Sequence, residues 1–497
     1  MEQRKQRRTN IVFILTDDQG YWALGCNGNS EIATPNIDRL AAEGVRMENF
    51  FCTSPVCSPA RASLLTGRIP SQHGIHDWLR EGNSGENGVE YLEGMPGFSD
   101  FLAQSGYTCG ISGKWHMGNS EKPQKSFSHW FVTPGGGGTY LDAPVIKEGK
   151  LTTAEGYLTD AITEDALGFL DTHAADNHPF CLYVAYTAPH APLVDQHPQR
   201  FLDLYENCSF ESCPQDPRHP WMPRNPTEIQ FSDRFCAKGR ERITVRDLLI
   251  GYYAAISAMD EGVGKIVERL EKLGIRQDTL VCFLSDNGYS CGQHGLWGKG
   301  TCTDPVNMYD TSVKVPAVFS HPGQIPQGAV CSSLLSGYDF MPTVLDYVGV
   351  ENPDAPKLPG RSFASQLRKP EDDGLRQSVV VYDELGPVRM IRTHAWKYVH
   401  RYPDGPDELY DLVHDPGERF NLLDECRTFH YTDAEIQEIV KNLCAQMEQW
   451  FDEYVDPTLD GRRYPVSGRG QLRKVPDPEG RPAFRQRQSD AEYTRGN

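Results

Sequence analysis

No stretch of this chain approaches the roughly 18 consecutive apolar residues that a membrane-spanning helix needs, so no membrane-embedded protein is expected. No export signal is expected either. The basic start Met1-Glu2-Gln3-Arg4-Lys5-Gln6-Arg7-Arg8 runs directly into the apolar strand Ile11–Leu15 rather than into a longer apolar core with a cleavage site. The expected location is therefore cytoplasmic. Positive charge is in deficit: 49 Lys and Arg against 68 Asp and Glu leave a formal charge of −19. That balance argues against nucleic acid as a partner, because phosphate backbones call for a basic face. Order among the cysteines is absent too. The 14 of them include no Cys-x-x-Cys pair, and reduced thiols rather than a disulfide framework are expected. Cys208, Cys213 and Cys236 share one Pro-rich stretch, but their spacing fits no common zinc motif. Cys52 reads as a packed neighbour of Cys57.

What is present is a globular composition, with 38% hydrophobic and 24% charged residues over 497 positions, long enough for two or three domains. Four apolar runs read as strands buried on both faces: Asn10–Thr16, Tyr107–Ser112, Phe180–Tyr186 and Thr279–Leu284. Between them lie helical stretches, of which Ile243–Leu273 keeps the clearest 3.6-residue period before Gly274 ends it. Alternation of this kind to about residue 350 predicts an α/β fold with a largely parallel central sheet flanked by helices. A Pro- and acid-rich break at 351–357 follows. Short antiparallel strands Val379–Tyr382, Val388–Thr393 and Trp396–Arg401 and a closing helix Asp433–Tyr454, with Asp433 as N-cap, then predict a smaller C-terminal α+β unit. The expected division is 1–370, 376–455 and a basic tail 456–497. That tail is placed to wrap the core or to dock a partner chain, and a homo-oligomer is among the expected assemblies.

Each buried strand ends in polar residues: Asp17-Asp18, Lys114 with His116, His190, and Asp286-Asn287. Parallel strands put these ends on one edge of the sheet, where open α/β folds keep their active sites. A single Asp-Asp is often just a turn, and a lone His is more often a hydrogen-bonded core residue; the joint pattern is harder to dismiss. Asp17, Asp18, Asp286 and Asn287 make an all-oxygen donor set suited to a hard divalent cation, calcium with magnesium as the alternative. Lys114, Lys299, Arg61, His116 and His190 add donors, a combination that fits a sulfate or phosphate ester. Cys57 sits among Ser54, Pro55, Ser58 and Pro59, so helix is expected to begin only after Pro59. An anionic group would be favoured at that helix N-terminus.

Taken together, Cys57-Ser58-Pro59-Ala60-Arg61 followed by Thr66-Gly67-Arg68, Asp17-Asp18, Gly113-Lys114-Trp115-His116, Pro189-His190-Ala191-Pro192, Asp286-Asn287-Gly288 and Gly298-Lys299-Gly300 resemble the motifs of the type I sulfatases, in the family's order. Glu408–Leu422 is similar to that family's C-terminal segment, and Asn307–Pro316 to microbial members acting on sulfated carbohydrates. The resemblance spans about residues 8–425. It implies the alkaline-phosphatase-like fold and hydrolysis of a small sulfated substrate, a sugar by the softer analogy. It also implies oxidation of Cys57 to formylglycine by a maturation enzyme. In the implied mechanism the aldehyde hydrate binds calcium held by Asp17, Asp18, Asp286 and Asn287, with Arg61 and Lys114 holding the sulfate. One hydroxyl attacks sulfur; His190, beside Lys299, protonates the departing alcohol, and His116 takes a proton from the second hydroxyl as sulfate leaves.

Two other readings stand beside this one. A phosphonate or phosphate-ester hydrolase of the same superfamily often carries Asp-His where this chain has Asp286-Asn287. A non-catalytic anion binder would have no need of both an acid and a base. Pocket walls are expected from 71–90, 120–145 and 195–240, with the glycine loop 135–138 a mobile edge. His73, His76, Asp77 and Trp78 are candidate sugar contacts, and equally candidate structural residues.

Overall fold

The structure, a computed structural model, describes residues 8–79, 82–85, 88–176, 178–223, 243–372, 374–424 and 431–461. Cys236, the tail from 462 onward and parts of the expected pocket walls lie outside them. A ten-stranded mixed sheet organises the main unit. Its strands are β1 (Asn10–Thr16), β2 (Val45–Phe51), β3 (Thr108–Lys114), β4 (His129–Thr133), β5 (Leu141–Lys147), β6 (Lys150–Tyr157), β7 (Phe180–Ala185), β8 (Thr279–Ser285), and, after the two-residue strands β9 (Ser290–Cys291) and β10 (Trp297–Gly298), β11 (Ala317–Ser320) and β12 (Ala329–Ser336). The order is β12-β2-β11-β8-β1-β7-β3-β4-β5-β6. Pairings β8-β1, β1-β7, β7-β3 and β3-β4 are all parallel, while β11 and the β5-β6 hairpin run antiparallel. Every residue of β1, β7 and β8 is buried, as expected of central strands covered on both faces. The helices Leu158–His173 and Val245–Lys272 cover one of those faces.

The long helix starts where a capping box forms: Asp247 N–H donates to Thr244 Oγ1 at 3.2 Å, and Thr244 N–H to Asp247 Oδ2 at 2.8 Å. Two terminus expectations are corrected. The helix carrying Cys57 spans Cys57–Thr66, so Pro59 is its third residue. Proline is tolerated there because first-turn N–H groups have no intrahelical acceptor to lose. The closing helix Asp433–Tyr454 is capped by Thr432, not Asp433, because Glu435 three residues on completes the box.

The smaller unit is a four-stranded antiparallel sheet, β13 (Val379–Asp383), β14 (Val388–Arg392), β15 (Trp396–Arg401) and β16 (Glu408–Asp411). Side chains alternate across it: Val379 and Val381 enter the main core, while Val380 and Tyr382 face the closing helix with Leu443, Met447 and Phe451. The two units share one buried charge cluster. Lys397 donates to Asp310 Oδ1 at 2.6 Å and to the Met308 carbonyl at 2.9 Å, pairs with Glu418, and has no solvent exposure. Removing that cation leaves two buried carboxylates undercompensated, so Lys397→Met is expected to cost about 3 kcal/mol. Urea denaturation of the two proteins measures it, and an unchanged midpoint would exclude a stabilising role for the cluster.

Among the described residues no helix is long and apolar enough to cross a membrane. Cys52 is buried in the main core. Cys213 lies beside the Tyr253 hydroxyl and Cys208 beside Glu31, and among the described residues neither joins a metal-ligating group of three.

Candidate active site

Strands β8, β1, β7 and β3 are consecutive neighbours, so their C-terminal ends deliver Asp286-Asn287, Asp17-Asp18, the His190 loop and Lys114 to one place. Backbone bonds fix the arrangement: Asp17 N–H donates to the Ala188 carbonyl, and Asp286 N–H to the Thr16 carbonyl, both at 3.1 Å. Cys57 and Arg61 lie one turn apart on their helix and so share a face. Lys299 follows β10, the second strand of a short ribbon.

Contacts among these side chains are direct. Arg61 Nε donates to Asp286 Oδ2 at 2.8 Å, and its Nη1 to the Lys114 carbonyl at 3.1 Å. Lys114 Nζ pairs with Asp17 Oδ2. Lys299 Nζ reaches both Asp18 Oδ1, at 2.7 Å, and Cys57 Sγ, at 2.8 Å. Asn287 Nδ2 donates to Asp18 Oδ1 at 2.7 Å. One ligand oxygen from each of Asp17, Asp18 and Asp286 lies within 4.8 Å of the others. Asp17 Oδ1 and Asn287 Oδ1 are buried without a hydrogen-bond partner. Two orphaned oxygens beside clustered carboxylates fit a hard cation better than they fit a purely structural network, in which buried acceptors are satisfied. All the metal-site residues expected from the sequence are therefore brought together.

Electrostatics follow from burial against charge. Burial raises the Asp17 carboxyl, but Lys114, His190, Arg61 and Lys299 outweigh it and hold it well below the usual range. Asp286 is pushed up to about 7 by burial and by Asp17, against the pull of Arg61. Burial and the Asp17 charge push the Cys57 thiol up to about 12, so an unaltered Cys57 is a protonated, weak nucleophile at neutral pH. Three fixed cations (Arg61, Lys114, Lys299) face three carboxylates (Asp17, Asp18, Asp286), and a divalent cation would tip this balance positive inside an acidic protein.

The two histidines differ in exposure and in which nitrogen is free. His190 shows 24% of its side chain to solvent, and its Nδ1 donates to the Ala191 carbonyl at 2.6 Å, leaving Nε2 facing Asp18 Oδ2 at 3.8 Å. His116 is buried, and its Nε2 meets the Leu79 carbonyl at 3.0 Å. Burial lowers the affinity of both rings for a second proton; for His116 the nearby Lys114 charge adds to this, while Asp17 and Asp18 oppose it at His190. Asp18 and His116 adopt left-handed backbone, with φ of 62° and 51°, a conformation that non-glycine residues take mainly where structure elsewhere enforces it.

Of the two alternatives open for His73 and His76, sugar contact or structural residue, burial favours the structural one. His73 Nε2 lies 3.2 Å from Ser63 Oγ, and His76 Nε2 donates to the Leu459 carbonyl at 2.9 Å, so both secure a loop. Asp77 is buried as well and accepts the Trp78 N–H; Trp78 is half-buried. Sequence reasoning missed three supports. The Tyr140 hydroxyl donates to the His190 carbonyl at 2.7 Å, and the Tyr252 hydroxyl to the Asp18 carbonyl at 2.9 Å. Gly136 lies against His116. A lone tyrosine between a glycine run and a strand carries no sequence signal of that kind.

Comparison with known proteins agrees with this geometry. Residues 9–350 match the sulfatase family, and residues 292–452 match the N-sulphoglucosamine sulphohydrolase C-terminal family. An N-acetylglucosamine-6-O-sulfatase of Bacteroides thetaiotaomicron is 28% identical, over 92% of this chain and 89% of that protein. An N-acetylgalactosamine-6-sulfatase of Mus musculus is 31% identical, over 86% and 84%. A solved complex with D-glucosamine-2-N,6-O-disulfate superposes with a TM-score of 0.73 at 27% identity, covering 91% of this chain and 99% of that one.

Proposed function

The chain belongs to the sulfatase family, and on that premise we propose that it hydrolyses the sulfate ester of a carbohydrate to a sugar alcohol and inorganic sulfate. The observation that carries this reading is the gathering of Asp17, Asp18, Asp286 and Asn287 at one sheet edge, with Cys57 and Lys299 against them. The names of both relatives and the sugar in the solved complex favour an amino sugar sulfated at O6 as the substrate class.

Asp17, Asp18, Asp286 and Asn287 would hold a divalent cation, calcium by the all-oxygen donor set, which would polarise a sulfate oxygen. Oxidised to formylglycine by a maturation enzyme, Cys57 would supply an aldehyde hydrate as the nucleophile. Around these groups the chain's own residues divide the work. Arg61 and Lys114 are buried fixed cations that neutralise charge on the transferring sulfate. Lys299 spans Asp18 and Cys57 and so stands between cation site and nucleophile. His190, at the solvent-facing rim with Nδ1–H held by the Ala191 carbonyl, takes up a second proton on Nε2, a charge that Asp17 and Asp18 favour, and gives that proton to the departing sugar oxygen. His116, wholly inside, serves as the base that clears the enzyme for the next turnover.

The deciding experiment is release of inorganic sulfate from defined sulfated mono- and disaccharides by protein whose Cys57 conversion has been verified by mass spectrometry. An aryl phosphonate diester is run in parallel. Sulfate release from a 6-O-sulfated amino sugar is expected; phosphonate cleavage without sulfate release would overturn the reading. The acid role of His190 has its own check. His190→Ala should lower turnover of sugar sulfates, whose alcohols leave poorly, by about 10²-fold, while sparing activated aryl sulfates. Equal losses on both substrates would remove His190 from that role.

A further inference from the structure

His116 is held in a way that bears on which of its nitrogens can act, and the loop that holds it is a run of four glycines, 135–138. The Leu79 carbonyl can only accept a hydrogen bond, so His116 Nε2, 3.0 Å away, must carry the proton. Nδ1 is then a bare acceptor, and it is buried without a partner. Leu79 is itself fixed from below: its N–H donates to Ser58 Oγ at 3.0 Å, and Ser58 is the residue after Cys57.

The second contact comes from above. A Cβ built on Gly136 would lie 2.1 Å from Cε1, 2.2 Å from Nε2 and 2.6 Å from Nδ1 of His116. Such near-equal distances place it over the ring face, since an in-plane approach to Cε1 would leave both nitrogens much farther than the carbon. The neighbours differ: at Gly137 a Cβ would come no closer than 3.1 Å, to His190 Cε1, and at Gly135 and Gly138 it would meet nothing within 4 Å. None of the four has a positive φ, so the requirement at Gly136 is room for the imidazole rather than backbone freedom.

We infer that the Leu79 carbonyl and the bare backbone of Gly136 form a clamp that holds His116 as its Nε2–H tautomer, making Nδ1 the nitrogen that accepts the proton in turnover. Gly136 and Ser58 are thus positioning residues, with no role at the reacting atoms. The clamp deepens the functional reading above and rests on it for the word turnover, but the tautomer can be read without any catalysis.

The test uses the unconverted thiol protein with isotope-labelled histidine and long-range proton–nitrogen correlation at neutral pH. Signals of His116 are identified by their loss in His116→Asn. Wild type is expected to show the Nε2–H pattern, and Gly136→Ala a mixed or switched one. With formylglycine content matched, Gly136→Ala should lower kcat about 10²-fold with KM little changed, whereas Gly135→Ala and Gly138→Ala stay within about twofold. Should Gly136→Ala not fold, Ser58→Ala removes the acceptor for Leu79 without adding an atom, and Ser58→Thr should restore the wild-type pattern. An Nδ1–H tautomer in wild type overturns the clamp, as does a Gly136→Ala protein indistinguishable from Gly135→Ala. A wild-type protein with the expected tautomer and no sulfatase activity would instead overturn the functional reading.

Discussion

Cys57→Ala is expected to remove turnover of every sulfate ester, by at least about 10⁵-fold, while the protein stays folded. The loss is so large because the remaining groups have nothing to deliver: Arg61, Lys114 and Lys299 bind and neutralise, and the histidines move protons, but none of them attacks sulfur. The fold survives because little depends on the sulfur atom. Cys57 opens its helix, the Ala60 N–H to Val56 carbonyl bond is backbone only, and Sγ faces the polar site, near Asp17, His190 and Lys299, rather than filling a hydrophobic core. Deleting one small buried group costs on the order of 1 kcal/mol. Protein made without conversion should be equally inactive, since a thiol has no second hydroxyl through which bound sulfate could be expelled. Thermal unfolding and sulfate-release assays on the alanine variant, the unconverted protein and the converted protein check all three statements. More than about 1% residual activity in a folded alanine variant would assign the nucleophile elsewhere.

How far the sequence reaches is seen by comparing Asp17 with Gly136. Asp17, Lys114, His190 and Asp286 were legible because each follows a continuous apolar run, and parallel pairing then brings strand ends together whatever lies between them. The same rule located β1, β3, β7 and β8, while the 3.6-residue period located the long helix Val245–Lys272. It failed for the β5-β6 hairpin: Lys150–Tyr157 is an exposed edge strand with only Ala154 and Tyr157 buried, so it carries no periodic signal. Gly136 failed for a different reason. Its contact with His116 crosses from the loop after β4 to the end of β3, and a glycine run announces only a lack of side chains. His73 and His76 show why two readings stayed open, because sequence does not reveal whether a polar residue is already held by other atoms, here Ser63 Oγ and the Leu459 carbonyl.

Asp18→Asn isolates the charge that the cation site depends on. The position has φ of 62°, and asparagine accepts left-handed backbone as readily as aspartate, so the change costs no conformational strain. It keeps the shape and an acceptor toward Lys299 and Asn287, whose donors lie 2.7 Å from Oδ1. What it removes is one of three negative charges facing the proposed metal. Several kcal/mol of cation-dependent stabilisation should go with it, lowering kcat/KM by about 10³-fold. A second consequence needs no substrate. A ligand that binds only the folded chain raises stability by about 2.7 kcal/mol at a hundredfold excess over its dissociation constant, so calcium should raise the unfolding temperature of the chelator-treated wild type. Asp18→Asn should lose most of that rise at the same calcium concentration and recover part of it at much higher concentration, because the other oxygen donors remain. An equal calcium shift in wild type and variant would take Asp18 out of the ligand set. No calcium shift in either would leave the clustered carboxylates to be explained by Arg61, Lys114 and Lys299 alone.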